Sequence, residues 1–296
     1  MWPILVQVGG LKIYTYGACL GLSCVIGAHL AVWLAARAGV PEKKGWWFAF
    51  ASVIIGVVGG RVHDVAVNAP DLATFFSKMT EVEHAGRTAY GAFLSATIGA
   101  LIVGRLLKVS VWRFGDAVAP ATMLGLGLTR IGCFAFGCDY GCRTDAWGVC
   151  FPKGSPAWGD QVANHDILES ATQSLAVLPI QLIESLAGFI IGAILLKAWF
   201  VRPRRVGTNF LLMFIIYGVV RALLEHWRAD AGRGEILGLS TSTMIGIVTA
   251  GSGLALLFVP PLANLRPLEG PVLPPPEVQA AEAAKAAEGK KDPTQG

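Results

Sequence analysis

Long apolar segments alternate with short polar ones along most of the chain, and this alternation is the strongest pattern in the sequence. Each apolar segment holds about twenty residues, enough to cross the roughly 30 Å hydrocarbon core of a bilayer as one α-helix. The pattern therefore predicts an all-α integral membrane protein with seven transmembrane helices. The seven segments cover residues 14–36, 45–67, 89–107, 114–134, 179–200, 208–227 and 239–259.

The composition supports this interpretation and excludes several other classes of protein. Of the 296 residues, 54% are hydrophobic and 15% are charged, whereas about 25% of the residues in a soluble domain are charged. These values exclude a soluble globular protein, a disordered chain and a nucleic-acid-binding protein, so we expect no nucleic-acid partner. The formal net charge is only +4, so the positions of the charges carry more information than their sum.

The charges between the apolar segments predict the orientation of the chain. The loops after the first, third and fifth segments are short and basic, and such loops stay on the cytoplasmic side of a membrane. The other loops are mixed or acidic, so we expect them outside. An odd number of spans then places the N-terminus outside and the C-terminus in the cytoplasm. The basic residues are Arg37, Lys43, Lys44, Arg105, Lys108, Arg113, Lys197, Arg202, Arg204 and Arg205.

Two stretches outside the spans have a distinct character. Residues 135–178 make a loop too long for a simple connection, and we expect a small cap on the outer face there. Residues 261–296 are rich in Pro, Ala, Glu and Lys and hold too few large apolar side chains to build a core. The sequence therefore predicts a transmembrane domain over residues 1–260, followed by a disordered cytoplasmic tail.

Ionisable residues inside the apolar segments are the candidates for chemistry, because a charge in hydrocarbon is costly and usually faces a protected interior. Arg130 interrupts the fourth segment and Arg221 the sixth. A guanidinium group keeps its proton and needs an anionic partner, and a phospholipid phosphate suits bidentate pairing with arginine. The other polar residues toward the outer ends of their segments are Arg61, Gln181, Glu184, Tyr217, Glu225 and Arg228.

The polar residues of the sixth segment have two interpretations. Tyr217, Arg221, Glu225 and Arg228 are spaced by four, four and three residues, so a continuous helix would stack them along one face. They form either an intrahelical ladder of ion pairs that only stabilises a helix end, or one wall of a lipid-binding site.

Four of the six cysteines lie close together, at the end of the fourth segment and in the following loop. Cys133, Cys138, Cys142 and Cys150 lack the C-x2-C spacing of zinc sites. On an oxidising outer face this group favours a disulfide over a metal site, and the spacing leaves the pairing open. The sequence thus predicts no bound metal and no cofactor.

The segment 129–152 resembles the signature loop of a known family. It reads TRIGCFAFGCDYGCRTDAWGVCFP and is similar to the pattern G-R-x-G-N-F-x-N-G-E-x-x-G-R-P-T, followed by W-G-V-x-F-P, of the prolipoprotein diacylglyceryl transferases. The resemblance covers residues 3–259. Further similar stretches are residues 3–5, Tyr16 with Gly17, Gly59 to Arg61, residues 179–184, and Tyr217 to Arg221 with Glu225 and Arg228.

The resemblance implies transfer of the diacylglyceryl group of phosphatidylglycerol to the lipobox cysteine of a prolipoprotein signal peptide, in a multi-pass protein of the bacterial inner membrane. Such a site must hold the phosphate and accept the thiol proton. The catalytic candidates that the resemblance implies are Arg130, Arg221, Tyr90 and Glu225. The residues that it implies for substrate binding are Tyr16, Arg61, Cys133, Cys138, Asp139, Gln181, Glu184, Tyr217 and Arg228.

The chain departs from the family pattern at several positions with chemical roles. Cys133 replaces an asparagine, Cys138 replaces a glutamate with Asp139 beside it, and Tyr90 and Leu178 replace two histidines. Because histidine is the commonest general base, the base stays open among Tyr90, Asp139, Glu225, a phosphate oxygen and water.

Three hypotheses about function follow from these departures. The sequence favours a transferase acting on prolipoproteins. The second hypothesis keeps the lipid site but changes the acceptor or donor, with Cys133 or Cys138 as a nucleophile or redox gate. The third is a membrane protein without catalysis, such as a lipid-binding subunit or a transporter, although the inverted repeats of transporters are not evident.

Overall fold

The computed structural model of the chain describes residues 3–9, 11–80, 89–201, 206–229, 235–236 and 238–258. These residues fold as two compact units. The first unit consists of the described parts of Met1–Ala31, Gly115–Arg202 and Val206–Leu265, and the second unit contains Val32–Phe114. The predicted tail, residues 261–296, lies outside the described residues.

Helices dominate both units, and seven of them coincide with the predicted apolar segments to within a few residues. Two further helices in the described part of the chain, α3 and α6, are short and lie between predicted spans. The helices are α1 (Thr15–Arg37), α2 (Glu42–Asn68), α3 (Leu72–Thr80), α4 (Ala89–Leu107), α5 (Val111–Phe136), α6 (Pro156–Ala163), α7 (Ile180–Val201), α8 (Thr208–Leu224) and α9 (Thr241–Phe258).

Six of these helices are long and apolar enough to cross a membrane. They are α1, α2, α5, α7, α9 and α8 together with the turn that extends it to Trp227. The integral membrane class is therefore confirmed. Helix α4 matches the remaining predicted segment, but its apolar part among the described residues is only Leu94–Leu107, so the seventh span stays a prediction, as does the orientation of the termini.

The prediction of an all-α fold missed two short antiparallel hairpins. Strand β1 (Ile4–Val8) pairs with β2 (Leu11–Tyr14), and β3 (Glu235–Ile236) pairs with β4 (Leu239–Ser240). Gly9 in the first turn has a φ of +59°, a conformation that glycine adopts without steric cost. This hairpin leads directly into α1.

In the second unit, α2 and α4 pack closely through small residues. A Cβ atom on Gly59 would lie 2.0 Å from the Oγ atom of Ser95, so only glycine permits this approach. Helix α3 is tied to α2 by a hydrogen bond that the Arg61 side chain donates to the carbonyl oxygen of Lys78. Small residues at helix contacts are typical of proteins folded in lipid, where close backbone approach replaces hydrophobic driving force.

In the first unit, α5, α7 and α8 share an apolar core and α9 packs against α8. A Cβ atom on Gly218 would lie 2.6 Å from the carbonyl oxygen of Gly246, so these helices also meet through glycine. The core of the first unit consists of Ala119, Met123, Ile191, Leu195 and Met213.

Asp116 of α5 supplies the N-terminal cap of α8. The capping position itself is Gly207, which has no side chain to accept a hydrogen bond. The Asp116 carboxylate instead accepts hydrogen bonds from the backbone N–H groups of Gly207, at 2.6 Å, and Phe210, at 2.9 Å. A negative charge at this helix end also interacts favourably with the helix dipole.

We expect Asp116→Ala to lower the free energy of unfolding by about 2 kcal/mol, because it leaves buried N–H groups without an acceptor. Denaturant unfolding of the detergent-solubilised protein, followed by circular dichroism, measures this change. Asp145→Ala, on an exposed stretch of the cap, is the matched control and should change stability by less than about 0.5 kcal/mol. Equal effects of the two substitutions would contradict the capping role.

Candidate active site

Residues 137–179, between α5 and α7, fold into a small cap with its own apolar core. Tyr140, Phe151, Ala157 and Val177 are buried together, and Phe134 of α5 packs against them. Helix α6 begins where the side chain of Ser155 accepts a hydrogen bond from the backbone N–H of Trp158. The cap is therefore an ordered part of the first unit.

Backbone hydrogen bonds clamp the cap to the start of α7 and to the chain after α8. The N–H of Cys142 donates to the carbonyl oxygen of Trp227 at 2.8 Å, and the N–H of Gly141 donates to that of Leu178 at 3.0 Å. A Cβ atom on Gly141 would lie 2.8 Å from both of these carbonyl oxygens, so glycine is required. The clamp brings the ends of α5 and α8 to the beginning of α7.

Three arginines and three carboxylates converge where these ends meet, and we call this group the arginine–carboxylate cluster. All six side chains belong to the first unit, and all were predicted as site residues from the sequence. The cluster consists of Arg130 of α5, Asp139 of the cap, Glu184 of α7, Arg221 of α8, and Glu225 and Arg228 of the segment after α8.

Glu184 is the centre of the cluster. Its Oε2 atom lies 2.8 Å from Nε of Arg130, and its Oε1 atom lies 2.9 Å from Nη1 of Arg228. The same Oε1 atom is 3.9 Å from Nη1 of Arg221. One carboxylate with a side-chain exposure of 5% thus contacts all three guanidinium groups.

Asp139 bridges two of the arginines from the cap side. Its Oδ2 atom lies 2.5 Å from Nη1 of Arg130, and its Oδ1 atom lies 2.6 Å from Nη2 of Arg228. Burial favours the protonated carboxyl, but the charges of Arg130 and Arg228 outweigh burial and lower the pKa of Asp139 to about 2. The carboxylate is therefore ionised at neutral pH.

The interpretation of the α8 residues as a continuous ladder on one helix face is wrong for Arg228. Arg221 does pair with Glu225, with 2.5 Å between Nη1 and Oε2. However, α8 ends at Leu224, a single 3-10 turn covers Glu225–Trp227, and Arg228 follows in an extended conformation. Arg228 can therefore reach Glu184 and Asp139, which lie on other elements.

The cluster is electrically balanced and largely shielded from solvent. Its three positive and three negative groups sum to zero, and the side-chain exposures of the arginines lie between 3% and 14%. The carboxylates hold the guanidinium groups in fixed positions, which is the preorganisation that charge stabilisation in an active site requires.

Three further predicted residues lie around the cluster in the first unit. Gln181 of α7 is fully buried and donates a hydrogen bond from Nε2 to the carbonyl oxygen of Cys138 at 2.8 Å. Tyr217 of α8 lies one helical turn before Arg221 and packs against the apolar core of the first unit. The ring of Tyr16 in α1 lies 6.4 Å from the ring of Phe136, measured between centroids.

Two predicted residues belong to the second unit. Arg61 is close to Asp64, with 3.6 Å between Nη1 and Oδ2, in addition to its hydrogen bond to Lys78. Tyr90 lies in α4, but its side chain is outside the described residues. The roles of Arg61 and Tyr90 stay predictions.

The expected disulfide is absent. All six cysteines lie in the described part of the chain, and each is a free thiol. A hydrogen bond with Cys133, together with burial, raises the pKa of Cys138. The Sγ atoms of Cys133 and Cys138 and a carboxylate oxygen of Asp139 lie within 4.8 Å of one another, although the sequence spacing gave no reason to expect a metal-binding group.

Sequence reasoning missed several residues that hold the cluster together by hydrogen bonds to backbone groups. Gly141, Leu178 and Trp227 form the clamp, and Ser185 donates a hydrogen bond to the carbonyl oxygen of Gly127 at 2.8 Å, which ties α7 to α5. Backbone contacts leave almost no trace in residue type. The glycine at position 141, which is part of the signature pattern, was the only available signal.

Comparison with known proteins shows the family of the chain. The family described as prolipoprotein diacylglyceryl transferase matches the chain over residues 3–259. The chain belongs to this family. Within the family, a phosphatidylglycerol–prolipoprotein diacylglyceryl transferase of Clostridium tetani is 30% identical over 256 residues, which cover 86% of this chain and 96% of that protein.

Two other relatives are similar over a comparable share of the chain. Phosphatidylglycerol–prolipoprotein diacylglyceryl transferase 2 of Clostridium perfringens is 28% identical, and the similar region covers 86% of this chain and 93% of that protein. The transferase of Trichormus variabilis is 26% identical, and the similar region covers 94% of this chain and 95% of that protein. Together with the six apolar helices, family membership identifies a multi-pass membrane transferase.

We expect Glu184→Gln to lower the free energy of unfolding by about 3 kcal/mol, because it leaves buried arginines without their shared anion. Chemical unfolding of the solubilised protein measures the change. The matched control is Glu169→Gln, at an exposed position of the cap, which should be close to neutral. If both variants unfold at the same denaturant concentration, Glu184 does not hold the cluster together.

Proposed function

We propose that this protein transfers the diacylglyceryl group of phosphatidylglycerol to the lipobox cysteine of prolipoproteins. The observation that carries the proposal is the arginine–carboxylate cluster, in which Arg130 and Arg221 are held in place by buried carboxylates. The names of the relatives describe the same activity for those proteins. The chain also matches the family over residues 3–259.

The reaction requires a site that binds a phosphate and stabilises it as a leaving group. The acceptor sulfur forms a bond to the glyceryl carbon, and the bond from that carbon to the phosphate oxygen breaks. Glycerol phosphate leaves with the electron pair, so negative charge develops on the phosphate. Arg130 and Arg221 bind this phosphate and stabilise the developing charge by charge-assisted hydrogen bonds.

The carboxylates of the cluster act as positioning residues for the arginines. Glu184 aligns Arg130 and Arg228, and Glu225 aligns Arg221. Asp139 is engaged by two guanidinium groups, which makes it a poor proton acceptor. The remaining candidates for the general base are Tyr90, Glu225, a phosphate oxygen and water.

Other residues around the cluster bind the lipid and the acceptor. The Oε1 atom of buried Gln181 has no hydrogen-bond partner among the described residues, and we assign it to a hydroxyl group of the glycerol headgroup. Tyr16, Tyr217, Cys133 and Cys138 line the same site in the first unit. Arg61 of the second unit is included as a lipid-binding residue on the basis of the family motif alone.

We also propose an arrangement of the chain in the membrane. Residues 1–260 form a seven-span domain of the bacterial inner membrane with the N-terminus outside, and residues 261–296 form a cytoplasmic tail. The cluster forms at the end of α5, the start of α7 and the end of α8. In this orientation it faces the outer side, where prolipoproteins emerge, and residues 135–178 cover it.

A second candidate is the same lipid site with a different acceptor or donor. It is favoured by the two thiols at Cys133 and Cys138, which stand where the family pattern has asparagine and glutamate. In this case one of these thiols acts as the nucleophile or as a redox gate.

A transfer assay with purified protein separates these functions. We expect the protein, in vesicles containing phosphatidylglycerol and under reducing conditions, to convert a lipobox peptide to its diacylglyceryl thioether, which mass spectrometry detects. A peptide with serine in place of the lipobox cysteine is the control. Release of glycerol phosphate without peptide modification indicates another acceptor, and the absence of both products contradicts a transferase that uses this lipid.

We expect Arg130→Ala and Arg221→Ala each to lower the transfer rate at least about 100-fold, because each removes a donor to the leaving phosphate. Arg130→Lys should recover little of the rate, since an ammonium group lacks the bidentate fork. Arg113→Ala, an exposed arginine at the other end of α5, is the matched control and should retain wild-type activity. Full activity of either alanine variant would show that the arginine concerned is not required for transfer.

A further inference from the structure

The thiols of Cys133 and Cys138 occupy an unusual position for structural cysteines, because they lie beside the cluster that binds the phosphate. Cys133 is 3% exposed and its Sγ atom lies 3.9 Å from Nη1 of Arg130. Cys138 follows the end of α5 and is partly buried. Two sulfur atoms and a carboxylate oxygen of Asp139 thus lie close to one another next to Arg130.

These three groups are the ligands that a zinc-class cation prefers. Zinc binds sulfur at about 2.3 Å and carboxylate oxygen at about 2.1 Å in a tetrahedron, so its ligand atoms lie about 3.4 to 3.8 Å apart. The three atoms here lie within 4.8 Å of one another before any metal is bound. Coordination therefore requires only a modest further approach of these atoms to one another.

The charges near the site permit metal binding despite the arginines. Without a metal, two neutral thiols and the Asp139 carboxylate carry a charge of −1. When one divalent cation binds, the thiols release two protons to solvent, so the sum of two thiolates, one carboxylate and the cation is again −1. The attraction to Arg130 and Arg228 is therefore preserved.

Three protein ligands leave one tetrahedral position open, which is the arrangement of catalytic rather than structural zinc sites. A thiol that coordinates such a cation loses its proton. This deprotonation would activate the acceptor thiol in a chain that has Tyr90 and Leu178 where the family pattern has histidines. An acceptor thiolate in the fourth position adds one negative charge beside Arg130 and Arg228.

We propose that Cys133, Cys138 and Asp139 bind one zinc-class divalent cation, which takes the acceptor thiol as its fourth ligand and activates it as a thiolate. The bound sulfur then attacks the glyceryl carbon, and glycerol phosphate leaves from Arg130 and Arg221. The thioether product is uncharged and a weak ligand, so it dissociates. No electrons are exchanged with an external reagent, and the acceptor proton goes to solvent. The role in acceptor activation rests on the proposed function, whereas the binding of the cation does not.

Cobalt substitution tests the binding site without reference to activity. The full-length protein is stripped of metal in detergent, kept reduced with a phosphine, and titrated with Co²⁺. We expect one Co²⁺ per chain with thiolate-to-cobalt charge-transfer absorption and tetrahedral visible bands. Cys133→Ser and Cys138→Ser should each weaken binding at least tenfold, whereas Cys150→Ser, at an exposed position of the cap, should bind like the wild type.

Two results overturn the binding site. One is the absence of charge-transfer absorption in the wild type. The other is an unchanged spectrum in the double variant of Cys133 and Cys138. The denaturant midpoint of each variant is measured in parallel. Asp139→Asn provides a variant that keeps both thiols while it removes the negative charge of the carboxylate ligand. We expect this variant to bind Co²⁺ at least tenfold more weakly, and equal affinity contradicts the assigned ligand set.

The acceptor role has its own readout. Addition of a lipobox peptide to the Co²⁺ protein should increase the charge-transfer absorption by the contribution of one further thiolate, and the serine peptide should not. A strong chelator should lower the transfer rate at least tenfold, and Zn²⁺ should restore it. An unchanged spectrum with the cysteine peptide, or full activity in chelator, overturns this role. If no acceptor peptide is modified by any form of the protein, the proposed function is wrong. The Co²⁺ titration still shows whether Cys133, Cys138 and Asp139 bind a cation.

Discussion

Three guanidinium groups in the interior of a helical membrane protein need anionic partners within contact distance, and Glu184 contacts all three. An arginine does not relieve this requirement by losing its proton, so the position of one carboxylate on α7 determines where α5, α8 and the segment after α8 can meet. Glu184 contacts Arg130 and Arg228 at 2.8 and 2.9 Å. The rest of the site is arranged around these ion pairs.

The cap is the second requirement, because Asp139 and Arg228 lie outside the helices. Asp139 follows α5 and Arg228 follows α8, and these segments are joined to others by the backbone hydrogen bonds at Gly141 and Cys142. These bonds join segments that are far apart in the chain, since Gly141 donates to Leu178 and Cys142 donates to Trp227.

The chain keeps Arg130 of the signature pattern and has other groups beside it. Thiols stand at positions 133 and 138, and the acidic residue of this loop is Asp139, which has a φ of +57°. This left-handed conformation is uncommon outside glycine, although aspartate adopts it more readily than most residues. In this conformation the carboxylate reaches Arg130 and Arg228.

The sequence by itself determined the class of the protein and the positions of its apolar helices to within a few residues. It also predicted the six charged side chains of the cluster. Those inside the apolar segments stand out because helix length and the cost of a charge in lipid are local properties that residue types report directly, whereas Asp139 was predicted only from the resemblance of its loop to the family pattern. Only the tertiary structure decided that Glu184 serves three arginines, that Arg228 leaves the helix, and that Cys133 and Cys138 remain free thiols beside Asp139. These features depend on contacts between distant segments, and residue type does not specify which of several available partners a side chain or a backbone group will meet.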